Sequence, residues 1–180
     1  AFEADPAKQF RVKVKLPTLN QKDGMVFARL ASFYAGKQYG AHFRPEKGDE
    51  VVVGFFNDDP RQAVILGSLH SSANPPFVKP EKENKQKAFL TKDNIGILFD
   101  DGTQRLNLSG DLKKMEQIIV IDKKNKSISI VDNINKNTVL LDKKGVSIKA
   151  DKDFNLSVKG NIKLTAKGKV QIKGSKTDII

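Results

Sequence analysis

Phe10, Val12, Val14 and Leu16 alternate with Arg11, Lys13 and Lys15 near the start of the chain, the period of two that a half-buried strand requires. Pro17 ends that strand, and Val26, Ala28 and Leu30 predict a second. Glu50 to Phe56 is a dense β-branched and aromatic run with Gly54 inside it, where a bend or bulge is expected. Asn57-Asp58-Asp59-Pro60 predicts a turn, and Ala63 to Leu69 the strand that returns from it. Four or five strands within about 70 residues predict a compact antiparallel barrel.

From Ser71 the composition shifts to Ser, Asn, Pro, Lys and Glu, with Asn74-Pro75-Pro76 and Pro80, and periodicity is lost. That stretch reads as a semi-rigid linker. Repetition follows. Val146, Phe154, Ile162 and Val170 are eight residues apart, as are Ile148, Leu156, Leu164 and Ile172, and a third column runs Ala150, Val158, Ala166, Gly174. Each octad predicts a short strand with three inward positions, joined at corners such as Asp151-Lys152-Asp153, Lys159-Gly160-Asn161 and Lys167-Gly168-Lys169. Upstream the spacing is ten: Asp122, Asp132 and Asp142 each follow an apolar run. Self-similarity of this kind predicts a solenoid or β-helix.

Eight residues at about 3.3 Å each reach roughly 26 Å, enough for one strand and one corner. Three octads of one chain could form one coil, or three chains could each supply one side of a triangular prism. The second is preferred, because four or five octads are too few for a tall capped solenoid and each ribbon leaves an apolar face bare. The expected fold is all-β: an OB-type antiparallel barrel over 1–70, a linker over 71–92 and a repetitive β-helical rod over 93–180, intertwined as a trimer. Its trimer core would be Val146, Ile148, Phe154, Leu156, Ile162, Leu164, Val170 and Ile172.

Composition narrows the function. The absence of cysteine excludes disulfides and thiolate metal sites, and 38 % hydrophobic residues allow a modest core. No run approaches the about 20 apolar residues of a membrane-spanning helix, and Ala1 to Phe10 lacks a signal peptide's apolar stretch. The net charge of +11 invites a polyanion partner, but lysines at alternate positions of the second half read as a solvated face.

Catalytic and metal chemistry find little support. His42 and His70 have no neighbouring ligand at metal spacing. Asp58-Asp59 and Asp100-Asp101 are adjacent pairs within turn signals, so they are expected to shape turns rather than oppose one another across a substrate. Ser68 and Ser109 lack a nucleophile-elbow context. Gly36, Gly40, Gly48 and Gly67 are expected to serve backbone geometry, and Glu50 to point outward from its strand. No catalytic residue, cofactor or metal site is expected. Arg11, Lys13 and Lys15, with Phe55 or Tyr39 to stack, keep an OB-type nucleic-acid module as an alternative.

Ala35-Gly36, Tyr39-Gly40-Ala41, Phe43, Pro45, Gly48-Asp49-Glu50-Val51, Val53, Phe55, Asp59-Pro60, Gly67-Ser68-Leu69 and Asn74-Pro75-Pro76 resemble the OB-fold segment of VgrG proteins. Those are central spikes of type VI secretion systems, related to spikes of phage baseplates and extracellular contractile injection systems. The resemblance implies a homotrimeric structural spike without enzymatic activity, assembled in the cytoplasm with hub, tube and baseplate proteins. A PAAR-type tip protein or effector would ride on it, and it would be expelled into a target envelope. No specific nucleic acid is implied. A cell-wall hydrolase lacking its catalytic domain is a further alternative. The chain has Phe33, Tyr34 and Tyr39 where tryptophans are common in the family, starts without a hub region and ends at Thr177 to Ile180 without a clear stop, as a piece of a longer spike would.

Overall fold

A computed structural model describes residues 5–17 and 24–176, which fall into two units, 1–84 and 85–180. The ending at Thr177 to Ile180 lies outside the described residues.

The first unit contains β1 (Val12–Lys15), β2 (Met25–Leu30), β3 (Ala35–Gly36), β4 (Tyr39–Gly40), β5 (Glu50–Phe55) and β6 (Ala63–Leu69). Four of these form one sheet in the order β1-β2-β6-β5. Alternation makes its core: Val12, Val14, Ala28, Ala63 and Ile65 are buried, with Val26, Leu30, Val51 and Val53 packed against them.

Three details differ from the sequence expectation. The sheet is not wholly antiparallel, because β2 pairs in parallel with β6 through Arg29↔Val64 and Leu30↔Ile65. The long connection carrying the β3–β4 hairpin and β5 permits that crossover. The bulge falls not at Gly54 but on β6, where Leu66 is skipped as the pairing steps from Val52↔Gly67 to Val53↔Ile65. Finally β1 starts at Val12, and Phe10 is left-handed at φ 58°. Asp5 is the cause: its carboxylate accepts the backbone N–H groups of Ala7, Gln9 and Arg11 and pairs with the Arg11 guanidinium at 2.8 Å, curling the segment before the strand. Those bonds, the arginine's foremost, hold the Asp5 carboxyl far below the ordinary range.

The second unit is a seven-stranded meander in chain order: β7 (Gln86–Leu90), β8 (Gly96–Asp100), β9 (Arg105–Ser109), β10 (Gln117–Asp122), β11 (Ser127–Asp132), β12 (Asn137–Asp142) and β13 (Gly145–Lys149). Every neighbouring pair is antiparallel. β7 lies inside the stretch read as linker, since Gln86, Lys87 and Ala88 conceal a strand whose partner is needed to recognise it.

The ten-residue units are therefore hairpins within the chain, not coils of a solenoid. Each aspartate ends a strand and its carboxylate accepts backbone N–H groups of the turn: Asn125 on Asp122 at 2.8 Å, Ile134 and Asn135 on Asp132 at 3.1 Å, Lys144 on Asp142 at 2.8 Å. Asp100 takes the Thr103 N–H at 2.9 Å in the same way. Gln104, Lys126 and Lys136 close three of these turns in the left-handed region, at φ 57°, 53° and 58°. A local carboxylate cap reverses the chain where a distant stacking contact was expected.

Residues 150–176 belong to no strand ladder, yet bends recur at 151–152, 159–160 and 167–168, the corners that the octads predict.

Candidate assembly surface

The meander has two faces, and register assigns every residue to one of them. One row across the sheet reads Phe89, Ile97, Leu108, Ile119, Ile130, Val139, Ile148. Two residues along each strand, hence on the same face, a second row reads Lys87, Phe99, Leu106, Ile121, Ile128, Leu141, Val146. Lys87 alone interrupts these two rows, and Gln117, Asp132 and Asn137 add a polar row at one end of the same face.

The opposite face mixes Ser, Thr, Asn, Asp and Arg with a few aliphatics. Its short side chains in mid-sheet are buried: Asn107, Ser109 and Asp122, together with Leu98 and Ile118. Their polar groups are satisfied. Arg105 Nε donates to Asp122 Oδ2 at 2.7 Å, and Ser109 Oγ donates to the Gln117 carbonyl at 2.9 Å. Bonds from the Asn125 backbone and side chain, then from Arg105, pull the Asp122 carboxyl down to about 2. Leu112, from the loop after β9, folds over this face above Gly96, where any added side chain would collide with the Phe89 carbonyl and the leucine.

Burial is thus inverted. The mixed face is shielded, whereas on the apolar face Phe89, Ile130 and Ile148 are 57 %, 52 % and 57 % exposed. Large aliphatic and aromatic side chains are each worth about 1.5–3 kcal/mol when fully removed from water, so this surface has a strong drive to be covered. The eight expected core residues continue the same property, all lying between 52 % and 70 % exposed. Val146 and Ile148 end the two apolar rows on β13; Phe154, Leu156, Ile162, Leu164, Val170 and Ile172 lie in the segment without a ladder. The structure therefore brings two of the eight together on the sheet. Eleven other apolar positions on this face of the meander were not named as core, because the sequence reading noted the apolar runs before the aspartates but not which of their residues share a face.

The remaining candidates fall elsewhere. His42 lines an open cavity of about 510 Å3 beside the β3–β4 hairpin, with Tyr39, Arg29 and Arg44, and His70 follows β6. Gly40 is required there: its φ is 134° and a side chain would strike the Tyr34 carbonyl. Asp59 caps the short turn Pro60–Gln62 by accepting the Arg61 N–H at 2.9 Å, and its bonds to Arg61 hold its carboxyl near 2. Arg11 and Lys13 stack on Phe27, at 5.5 and 6.0 Å from the ring centroid, rather than beside Phe55 or Tyr39. Phe56 is covered likewise by Arg29 at 5.4 Å. Phe27 and Phe56 are thereby covered and not free to stack bases, whereas Phe55 and Tyr39 stay exposed.

An OB-type sheet, an aspartate-capped meander and an exposed apolar face describe a structural module built for assembly. Residues 2–70 match the family described as the type VI secretion system/phage-baseplate injector OB domain. Among individual proteins, the chain is similar to the type VI secretion system spike protein VgrG3 of Vibrio cholerae, 37 % identical over 81 residues, covering 42 % of this chain and 8 % of the relative. It is 36 % identical over 115 residues to the spike protein VgrG5 of Pseudomonas aeruginosa, covering 61 % of this chain and 14 % of that one. The actin cross-linking toxin VgrG1 of V. cholerae matches at 36 % over 80 residues, covering 42 % of this chain and 7 % of the toxin. The resemblance to VgrG proteins drawn from the glycine and proline motifs holds, and the chain spans a small fraction of the length of these relatives.

Proposed function

We propose that the chain is the OB and rod portion of a homotrimeric structural spike in a contractile injection apparatus of the type VI secretion kind. The observation that carries this reading is the apolar face of the meander, continued by the octad columns, on a chain whose first 70 residues match an injector OB domain. Three copies related by a threefold axis would set three such faces against one another and remove them from water by symmetry. The octads would then pair between chains, supplying the ladder that 150–176 does not find in its own.

Its role is mechanical rather than catalytic. Hub, tube and baseplate proteins would hold the spike during assembly in the cytoplasm, and a PAAR-type tip protein or effector would be carried outward with it when the apparatus fires. Sedimentation at micromolar concentration tests the core of this: a three-chain mass is expected, and a stable folded monomer refutes it.

A further inference from the structure

Residues 143–176 carry ten lysines against Asp151 and Asp153, with no arginine, and so hold eight of the chain's +11 net charge. From Phe154 to Lys176 there are six lysines and no acidic residue. Every residue from 151 to 176 is exposed. A solvated, non-aggregating surface needs charge, but it does not need a single sign; interspersed acids and bases serve solubility without self-repulsion. In a three-chain rod the one-sign pattern is multiplied threefold along a narrow object, and that repulsion opposes assembly. The meander follows the ordinary pattern, with Asp93, Asp100, Asp101, Asp111, Glu116, Asp122, Asp132 and Asp142 among its lysines. The octads depart from it.

We infer that the lysine-bearing surface of the octad rod binds the phosphate headgroups of an anionic phospholipid bilayer. The inference rests on the trimeric spike reading. Lysine is a strongly hydrated point charge that meets phosphate without fixed geometry, whereas arginine is the residue of bidentate recognition, and this stretch uses lysine alone. The outward positions beside the lysines are Asn155, Ser157, Thr165 and Gln171. None can stack on a base, as a nucleic-acid groove requires. With three chains about one axis the lysines stand on every side of the rod. A nucleic-acid strand would use one side; headgroups ringing an inserted rod use all of them. Attraction of this kind grows with each lysine near an anionic leaflet and fades within a Debye length as salt rises.

The test is cosedimentation of the full chain with vesicles of phosphatidylcholine, with and without a third of phosphatidylglycerol, at low and high salt. Binding is expected only to the anionic vesicles, and to be lost at high salt. Replacing Lys159, Lys163, Lys167, Lys169 and Lys173 with Gln should weaken it at least about tenfold. Replacing Lys92, Lys113, Lys114, Lys123 and Lys124 with Gln removes as much charge and should change it less than about twofold. Equal loss in both variants, equal binding to neutral vesicles, or tighter binding to an oligonucleotide of matched phosphate concentration overturns the proposal. Sedimentation of each variant without lipid separates the two readings: a trimer that ignores anionic vesicles sinks the lipid proposal alone, and a monomer that binds them sinks the trimer.

Discussion

The meander of residues 86–149 and the octads of 150–176 use the same alternation of apolar and polar residues, yet one closes a ladder within its own chain and the other does not. The parity of the apolar positions explains the difference. Paired residues share a face, and turns of two or four residues join odd to even positions: Ile119 and Ile121 face Ile130 and Ile128, which face Val139 and Leu141, which face Ile148 and Val146. Apolar parity flips at each of these even-residue turns, whereas the odd-length turn from β7 to β8 keeps it and pairs Phe89 with Ile97. In the octads it never flips. Val146, Phe154, Ile162 and Val170 are all even, so an even-residue hairpin at 151–152 would put Phe154 and Leu156 on the face opposite Val146 and Ile148. The meander is written to reverse and the octads to advance.

An insertion breaks that comparison most severely. One serine added between Lys159 and Gly160 moves Ile162, Leu164, Val170 and Ile172 to the other face and should abolish the proposed trimer in sedimentation. Two serines restore parity and should restore much of the assembly. Equal damage from both would show that spacing, not parity, matters.

Ile162→Asp keeps parity and instead sets one carboxylate in each of three facing positions, at a cost of about 3 kcal/mol per chain. The assembly's melting temperature should fall by more than 10 °C, as a thermal scan of the trimer would show. An unchanged curve would mean that Ile162 faces outward.

Much of this was legible beforehand. Strands β1, β2, β5 and β6, the Asp59 and Asp100 turns and the octad corners are all local, set by alternation and turn chemistry within a few residues. The aspartates at spacing ten were legible too but ambiguous, because a repeat length fixes the distance between turns and not the direction the chain takes after them. Parity carried that information. The parallel β2–β6 pair was hidden because a partner distant in sequence creates it, and the strand Gln86–Leu90 because its polar start continues the composition of the stretch before it, although its partner Gly96–Asp100 follows at once. The exposed apolar face was only half visible because its two rows of side chains become one surface only after seven strands are in register.

Acid should separate the regions further. The Asp122 carboxyl titrates near 2 in the folded chain against an ordinary 3.8, and those of Asp100 and Asp132 are also lowered. A depressed carboxyl favours folding in its ionised form, so its contribution is complete above the unfolded value and is lost as pH falls through the folded one. The meander's melting temperature should hold steady from pH 7 to pH 5 and decline from about pH 4 towards pH 2. Asp122→Asn should flatten part of that decline. Phe154 to Lys176 holds no acidic residue, and a spectroscopic probe placed there should lack this acid limb.

The smallest expected effect concerns the backbone of the reversing turns. Lys126 holds φ at 53° and Lys136 at 58°, the left-handed region that costs an L-residue roughly 1 kcal/mol or more. Glycine adopts it freely but loses more entropy on folding, so about half of the gain is cancelled. Lys126→Gly should therefore stabilise the meander by about 0.5 kcal/mol, a rise of one or two degrees in a calorimetric scan. The comparable change at a corner, Lys159→Gly, relieves no left-handed backbone at that position and only loosens the chain. It should be neutral or destabilising. A rise at Lys159 as large as at Lys126 would mean that the two kinds of corner are one, and that the distinction between reversing and advancing strands lies in the apolar columns alone.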